Sequence, residues 1–264
     1  MVAKHSLIAW PGLSSPMDCI IAAKGLSRRL PRKNLRLLRG VPLLGYAVES
    51  ASLAGVFGNV WVSTEDAEVA RVARDYGAGV IDRPAELAED SIRVREVVDH
   101  ALEHINREHQ SLGLPFHEVV GIVYPTAFLL EPDDIRNMWR YLQSSPHANG
   151  VMTVVAPSEN PLAMMVRTEE GFLERFWPGK VRDQAISEPD WAEWIDGQTT
   201  TFGPWYQDAG YCYIYRVDAF RQHGFYPPRL LAWELPRSRV VDINTEADLQ
   251  VAEALLEHWF RFKT

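Results

Sequence analysis

Short apolar runs alternate with helix-like segments along most of this chain, and that alternation constrains its fold more than any other feature. Residues 118–124 and 151–156 are near-continuous apolar runs, as expected for strands that are covered on both faces. The other predicted strands are 19–21, 59–63, 78–82, 211–216 and 239–243, and the predicted helices are 43–54, 67–76, 92–109, 133–142 and 246–261. Strands separated by helices imply βαβ units. The sequence therefore predicts an α/β fold with a mostly parallel sheet and helices on both faces.

The alternation breaks between residues 157 and 208, where Pro, Trp and polar residues accumulate. A segment of this length without clear periodicity is either functional or an insertion that packs on a partner. Residues 1–16 precede the first predicted strand and are expected to be an N-terminal extension. We therefore predict a single domain over 17–264, with an insertion at about 157–208.

Composition excludes several classes of function. The net charge of −8 argues against general nucleic-acid binding, and no apolar run approaches the length of a membrane span. The two cysteines, Cys19 and Cys212, both lie in predicted strands and form no metal-type pair. We interpret them as reduced core residues of a cytoplasmic protein.

A dense cluster of cations follows the first predicted strand. Small residues come first, at Ala22, Ala23 and Gly25. Five positive charges then fall within ten residues, at Lys24, Arg28, Arg29, Arg32 and Lys33. Backbone N–H groups and cations that converge in this way form a good phosphate cradle. A solvated basic loop after a core strand is the competing interpretation.

Residues 21–34 resemble, without a gap, the signature I-P-A-R-G-G-S-K-R-x-P-x-K-N of the sugar-activating CMP-sugar cytidylyltransferases of the acylneuraminate type. The resemblance implies a Rossmann-like nucleotide-diphospho-sugar transferase fold. Lys24 stands where that family has Arg, so a compact ammonium charge replaces a planar guanidinium that can donate two parallel hydrogen bonds. Leu26 stands where it has a second Gly, which adds a side chain near the nucleotide.

Further motifs follow in the same order as in that family. Residues 62–78 resemble its second block, and 83–90 match R-P-x-x-L-a-x-D. The Tyr-Pro-Thr-Ala run at 124–127 is characteristic of the pseudaminic acid branch, which 175–184 and the Y-Q-D-A-G run at 206–210 also resemble. The branch has His where this chain has Gln207. The resemblance spans roughly residues 18–255.

The resemblance implies a role for each group of residues. The residues implied to hold the triphosphate and act in catalysis are Lys24, Arg28 and Lys33. Those implied to bind the nucleotide are Ala23, Gly25, Ser27, Asn34 and Arg83, with Asn34 and Arg83 selecting cytidine. Those implied to bind the sugar are Tyr124, Thr126, Gln184 and Asp208.

The residues alone leave other roles open for several of these positions. Arg83 fits a loop salt bridge equally well, Tyr124 fits an aromatic plug at a strand end, and Asp208 fits a loop anchor. The Lys33 side chain is expected to be solvated in the free protein, because no acidic residue occurs between Cys19 and Val48.

The metal prediction rests on residues 242–248, which resemble the family pattern D-I-D-T-x-x-D, with its first two Asp on Mg²⁺. Side chains at 242 and 244 project to the same side of an extended chain, so Asp242 and Asn244 can share one cation. Mg²⁺ accepts a carboxamide oxygen, although one charge is lost. Thr245 and Asp248 fit a helix N-cap with an acid at its third position.

The implied reaction joins CTP and a nonulosonic acid of the pseudaminic or sialic type, giving CMP-sugar and pyrophosphate. The partners expected are therefore CTP, an acidic sugar and Mg²⁺, with a homodimer formed through 157–208 and no nucleic acid or membrane. The departures at Lys24, Leu26, Gln207 and Asn244 support two alternatives. One is a cytidylyltransferase for a different acidic acceptor. The other is a nucleotide-binding homologue with weak or no transferase activity.

Overall fold

A computed structural model describes residues 17–157 and 205–262, together with the backbone of four short strands between them. The strands are β1 (Met17–Ala22), β2 (Leu37–Leu38), β3 (Val41–Pro42), β4 (Phe57–Thr64), β5 (Gly79–Asp82), β6 (Val119–Val123), β7 (Gly150–Val155), β8 (Met165–Arg167), β9 (Leu173–Arg175), β10 (Lys180–Val181), β11 (Gln184–Ala185), β12 (Gln207–Arg216) and β13 (Leu230–Glu234). The helices are α1 (Leu43–Ala54), α2 (Ala67–Asp75), α3 (Val94–Ser111), α4 (Pro132–Gln143), α5 (Val217–His223) and α6 (Glu246–Phe262). The predicted extension 1–16 lies outside the described residues.

A seven-stranded sheet forms the centre of the fold, in the order β13-β7-β12-β6-β1-β4-β5. Strands β5, β4, β1 and β6 are parallel neighbours, and β13 is parallel to β7. Strand β12 runs antiparallel to β6. The predicted α/β fold with a mostly parallel sheet is therefore confirmed, and the carboxyl ends of β1 and β4 meet at one edge.

Both faces of β1 are buried. Ile20 packs with Val98 and Leu102 of α3 on one face. Cys19 and Ile21 alternate with Ile20, so they point to the other face, and both are fully buried. Helix α1 contacts both β1 and β4. This burial explains why the strand reads as a continuous apolar run.

The two cysteines are free thiols, as expected. Cys19 lies in β1 and Cys212 in β12, and neither side chain is exposed. Burial raises the pKa of both thiols well above the ordinary value.

The helix caps agree with the sequence at α6 and differ at α2. The Thr245 hydroxyl and the Asp248 carboxylate form the predicted cap, since Asp248 accepts from the Thr245 N–H at 2.8 Å. At α2 the cap is Asp66, whose carboxylate accepts from the backbone N–H groups of Glu68 and Val69 at 3.0 Å. By residue type, Thr64 or Ser63 at the end of β4 is also expected to cap this helix, but that expectation is wrong, because the Thr64 hydroxyl accepts instead from the Asp66 N–H at 3.1 Å.

The predicted strand at 239–243 is also wrong. The chain forms a 3-10 turn at Arg237–Arg239 and then runs without a sheet partner. Ile243 is nevertheless fully buried, against Leu30 and Leu38. The sheet position is taken by β13, an edge strand on β7 that the sequence pattern missed, as it missed α5.

Residues Val155–Gln207 form a second compact unit, on which the predicted insertion falls. Within it β8 pairs with β9, and β10 with β11, both antiparallel. Most of the other residues of this unit lie outside the described part of the chain. In the part that the structure describes, no helix has both the length and the apolar character needed to cross a membrane.

Candidate functional site

The basic loop, residues 23–34, leaves the sheet at the carboxyl end of β1. The buried Ala23 N–H donates to the Ser63 carbonyl at 3.0 Å, which extends the pairing with β4 by one residue. The Gly25 N–H then donates to the Glu65 carboxylate at 2.8 Å. A β-carbon at Gly25 would lie 2.3 Å from a carboxylate oxygen of Asp66, so only glycine fits this close approach.

The middle of the basic loop faces outward. Leu26 is 78% exposed and the Arg28 side chain 85% exposed, with the half-buried Ser27 between them.

Carboxylates contact three of the five cations of the basic loop. Lys24 and Arg28 both pair with Asp90, and the Lys24 hydrogen bond lowers the pKa of that carboxyl. Arg32 donates to Asp66 at 2.6 Å, and this hydrogen bond raises the pKa of the guanidinium. The loop is thus held in place by acidic partners that lie outside it in sequence.

Lys33 is directed back into the protein. Its ammonium donates to the Ile243 carbonyl at 2.8 Å and to the Asn244 side-chain oxygen at 3.3 Å. Burial lowers its pKa. The expectation that this side chain is solvated in the free protein is therefore wrong, because a backbone carbonyl supplies the partner that the local sequence lacks.

Asn34 has one unsatisfied polar atom. Its amide nitrogen donates to the Lys24 carbonyl at 2.8 Å, and the residue is 6% exposed. Its side-chain oxygen has no hydrogen-bond partner among the described residues, and the same holds for the Ser63 hydroxyl at the end of β4. A buried acceptor without a donor is costly, so Asn34 is suited to accept a hydrogen bond from a ligand.

Arg83 forms the loop salt bridge that was one of its two predicted roles. Its Nε donates to Glu65 at 3.1 Å, and its side chain is 3% exposed. Burial alone would raise the pKa of Glu65, but hydrogen bonds from the Gly25 N–H and from Arg83 outweigh it and lower the pKa. Arg83 therefore reaches the basic loop through Glu65, and a direct role toward a nucleotide stays a prediction.

Asp208 lies in a cluster of tyrosines. It accepts hydrogen bonds from the hydroxyls of Tyr213 at 2.8 Å and Tyr226 at 2.9 Å, and from the Gly210 N–H at 2.8 Å. Burial, together with the neighbouring Asp208, raises the pKa of Tyr226 to about 12. The Tyr124 ring lies 5.7 Å from that of Tyr213. Asp208 therefore belongs to β12 rather than to a loop, so its predicted role as a loop anchor is wrong; it ties the start of that strand to a cluster that three tyrosines line.

Two other predicted sugar-binding residues are less informative. Thr126 is buried in the turn after β6, where its carbonyl accepts from the Phe128 N–H at 2.9 Å. Gln184 belongs to β11, and its side chain lies outside the described residues.

The side chains of Asp242 and Asn244 converge, as their spacing predicts. The Asn244 amide nitrogen donates to Asp242 at 2.6 Å. Its oxygen accepts from Arg29 at 2.8 Å and from Lys33 at 3.3 Å. Mg²⁺ is usually held by one or two carboxylates plus substrate phosphates. The exposed Asp242 carboxylate beside the basic loop fits that requirement, whereas the Asn244 oxygen is directed at two cations.

Sequence reasoning missed the acidic partners of the basic loop: Glu65, Asp66 and Asp90. A signal existed for the first two, because they follow β4, the parallel neighbour of β1. It missed Tyr213 and Tyr226 around Asp208, for which no local pattern is available.

A family model described as Cytidylyltransferase matches residues 19–170. Pseudaminic acid cytidylyltransferase of Campylobacter jejuni subsp. jejuni serotype O:2 is 29% identical over 245 residues, which cover 90% of this chain and 94% of that protein. N-acylneuraminate cytidylyltransferase A of Danio rerio is 35% identical over 101 residues, covering 38% of this chain and 23% of that protein.

Two solved structures share the fold. CMP:2-keto-3-deoxy-manno-octonic acid synthetase complexed with CTP has a TM-score of 0.60 at 17% identity, covering 93% of this chain and 100% of that one. The 4-diphosphocytidyl-2C-methyl-D-erythritol synthase of Anaerococcus prevotii has a TM-score of 0.56 at 11% identity, covering 92% and 96%.

Proposed function

Because the chain belongs to the cytidylyltransferase family, we propose that it transfers the cytidylyl group of CTP to a nonulosonic acid of the pseudaminic type and releases pyrophosphate. The observation that carries this choice of sugar is the similarity to the Campylobacter jejuni pseudaminic acid cytidylyltransferase over nearly the full length of both chains. The similarity to the N-acylneuraminate enzyme of Danio rerio covers only 38% of this chain and supports the family rather than the sugar.

In the proposed reaction the anomeric hydroxyl oxygen of the sugar attacks the α-phosphorus of CTP. The bond from that phosphorus to the bridging oxygen breaks, pyrophosphate leaves with the electron pair, and the hydroxyl proton is released. Such a transfer needs positioning and charge neutralisation more than covalent chemistry.

We assign Lys24, Arg28 and Lys33 to the triphosphate. Since Asp90 contacts the first two in the free protein, CTP would replace one anionic partner by another.

The contacts around the basic loop support the remaining assignments. Backbone groups of Ala23, Gly25 and Ser27 line the nucleotide. Asn34 would accept a hydrogen bond from the nucleotide through its unpartnered oxygen, which supports its assignment to cytidine, and Arg83 would act there through Glu65.

The acidic sugar is assigned to the tyrosine cluster. We propose that Tyr124, Thr126 and Asp208 bind it, and a role for Gln184 stays a prediction of the sequence. The hydroxyls of Tyr213 and Tyr226, already within hydrogen-bond distance of Asp208, support a polar site able to contact sugar hydroxyls.

We propose Asp242 as the protein carboxylate that holds Mg²⁺, with Asn244 beside it. When bound, Mg²⁺ neutralises charge on the triphosphate. The exposure of Asp242 and its position next to the Asn244–Lys33 contact support this assignment.

A pyrophosphate-release assay with CTP, Mg²⁺ and a panel of nonulosonic acids tests the proposed function. Release that depends on pseudaminic acid is expected. Release with another acid alone would favour a different acceptor. Binding of CTP without release for any acid would favour the non-transferring homologue.

CTP is expected to stabilise the protein more than UTP, ATP or GTP does. A ligand that binds only the folded state stabilises it by RT ln(1 + [L]/Kd), so at equal concentrations the triphosphate that binds more tightly raises the melting temperature further. Thermal-shift measurements with the four triphosphates and Mg²⁺ check this. Equal stabilisation by ATP and CTP would contradict the assignment of cytidine.

Lys33→Ala is expected to weaken CTP binding by roughly ten- to a hundred-fold. A charge-assisted hydrogen bond to a phosphate contributes on the order of 1.5–3 kcal/mol. Stability should fall by only about 1 kcal/mol, the usual net contribution of one hydrogen bond such as that to the Ile243 carbonyl. Calorimetric titration with CTP and a urea melt measure the two effects.

Arg36→Ala is the matched control for Lys33→Ala, since Arg36 follows the basic loop and pairs with Glu246 at 2.6 Å. It should leave CTP affinity unchanged. If Lys33→Ala lowers only the stability, Lys33 does not bind the triphosphate.

We also propose that the protein is a cytoplasmic homodimer. Two free buried thiols suit a reducing compartment. The 157–208 segment contains four tryptophans, a residue type enriched in interface cores: Trp177, Trp191, Trp194 and Trp205. A two-fold dimer is the commonest assembly. Light scattering at micromolar concentration should give twice the chain mass, and a monomer mass would contradict the proposal.

A further inference from the structure

A second group of potential metal ligands lies at the end of β1 opposite to the basic loop. Asp18, at the start of β1, faces His109 in the last turn of α3 and His117 just before β6. Their ligand atoms all lie within 4.8 Å of one another. Along the strand this group is roughly 16 Å from Ala23. We propose that Asp18, His109 and His117 bind a Zn²⁺ ion.

The distances suit a tetrahedral ion. His117 Nε2 lies 3.3 Å from the Oδ2 atom of Asp18, and His109 Nε2 lies 3.9 Å from the same atom. A tetrahedral zinc with bonds of about 2.0 Å holds its ligand atoms about 3.3 Å apart. The His117–Asp18 pair already has this separation, a small shift of the His109 ring brings the His109–Asp18 pair to it, and the two histidine ligand atoms lie within 4.8 Å of each other.

The hydrogen-bonding state of both histidines points to a cation. His109 Nδ1 lies 2.9 Å from the Pro115 carbonyl, which can only accept, so Nδ1 carries a hydrogen and in the neutral imidazole Nε2 offers its lone pair. The His117 side chain is 7% exposed, yet its Nε2 has no aligned hydrogen-bond partner among the described residues. That nitrogen is buried within 3.3 Å of the Asp18 carboxylate.

The carboxylate is held in place by its own partners. Asp18 Oδ1 accepts from the Asn59 N–H at 2.8 Å, and Oδ2 accepts from the Trp61 indole at 2.9 Å. Ligating carboxylates are typically hydrogen-bonded in this way.

The choice of metal follows from the ligand types. Two imidazoles and a carboxylate are a ligand set that Zn²⁺ prefers and Mg²⁺ does not. Three protein ligands leave one position for water. The ion would fix the end of α3 and the start of β6 to β1.

Zinc binding is tested on the tag-free chain, stripped with a chelator, dialysed against Zn²⁺ alone and washed. The wild-type chain should retain a stoichiometric zinc ion by elemental analysis, and Zn²⁺ should raise its melting temperature. His117→Gln should weaken zinc binding by more than the roughly 10–100-fold that losing an outer partner costs. His223→Gln, which changes an exposed histidine on α5, is the matched control and should retain zinc.

The competing interpretation is a buried histidine–carboxylate pair without metal. It predicts that the wild-type chain holds no more zinc than a variant with both His109→Gln and His117→Gln, and that result would overturn the proposal. If the double variant does not fold, Co²⁺ added to the stripped wild-type chain decides. Visible bands of tetrahedral Co²⁺ that Zn²⁺ abolishes support the site, and their absence rejects it.

Discussion

Replacing Asp242 with alanine is expected to slow Mg²⁺-dependent pyrophosphate release by roughly a thousand-fold or more. A Lewis-acid metal contributes several kcal/mol to stabilising transition-state charge, and each 1.36 kcal/mol is tenfold in rate. Asp242 is the exposed carboxylate beside the basic loop, and Asn244 donates to it at 2.6 Å. Steady-state release across a Mg²⁺ titration measures the effect. The prediction rests on the proposed function.

Two further substitutions test whether the loss of rate in Asp242→Ala is caused by the loss of Mg²⁺ binding. Asp75→Ala removes an exposed carboxylate that pairs with Arg71, and it should leave the rate unchanged. Asn244→Asp should tighten Mg²⁺, because a carboxylate neutralises the ion and a carboxamide does not. If Asn244→Asp changes neither affinity nor rate, residue 244 does not touch the metal. If it creates activity in an inactive parent, the chain is a non-transferring homologue.

Arg239→Ala is expected to lower the free energy of unfolding by about 3–5 kcal/mol, the usual cost of leaving one partner of a buried ion pair uncompensated. Arg239 is 5% exposed and pairs with the buried Asp134. It also donates to the Leu129 carbonyl at 2.7 Å and lies over the Trp259 ring at 5.2 Å. The substitution would therefore remove the cation from the Asp134 carboxylate at the start of α4, which would keep the Glu131 N–H and the Trp233 indole as donors. Since whole domains are stable by only about 5–15 kcal/mol, the variant should be marginal.

Urea unfolding checks this expectation, with Arg71→Ala as the matched control. Arg71 pairs with Asp75 on an exposed helix face, and such pairs contribute only about 0.3–0.5 kcal/mol. Equal midpoints for the two variants, at an unchanged slope, would mean that the Arg239–Asp134 pair does not stabilise the fold.

Local pattern predicts most of the sheet and most of the helices, because burial on both faces imposes an apolar run. The runs at 118–124 and 151–156 became β6 and β7 within one residue at each end. The pattern failed at 239–243, where packing rather than a ladder buries Ile243 fully and Val240 and Val241 by half. Ile243 is fully buried against Leu30, a partner more than two hundred residues away. Sequence alone cannot distinguish these two uses of an apolar run.

The candidate site shows the same division. The basic loop and the Asp242–Asn244 pair are local motifs, so their residues could be identified from the sequence. The partners of these cations could not, since Lys24 reaches Asp90 and Lys33 reaches the Ile243 carbonyl. Every residue has a backbone carbonyl, so the sequence does not indicate which one accepts a hydrogen bond from a side chain. Only the parallel pairing of β1 with β4 brings Glu65 to the loop.

The buried thiols of Cys19 and Cys212 can be used to measure how often the core around the central sheet opens. They lie in β1 and β12, the two strands that flank β6, and neither is exposed. A thiol reagent can modify them only when the packing that covers the sheet faces opens, so the labelling rate reports the free energy of that opening. They are the only cysteines in the chain, so the signal needs no engineered residue and no background subtraction. If a third cysteine were placed on the surface, a thiol reagent would label that residue alone while Cys19 and Cys212 stay buried.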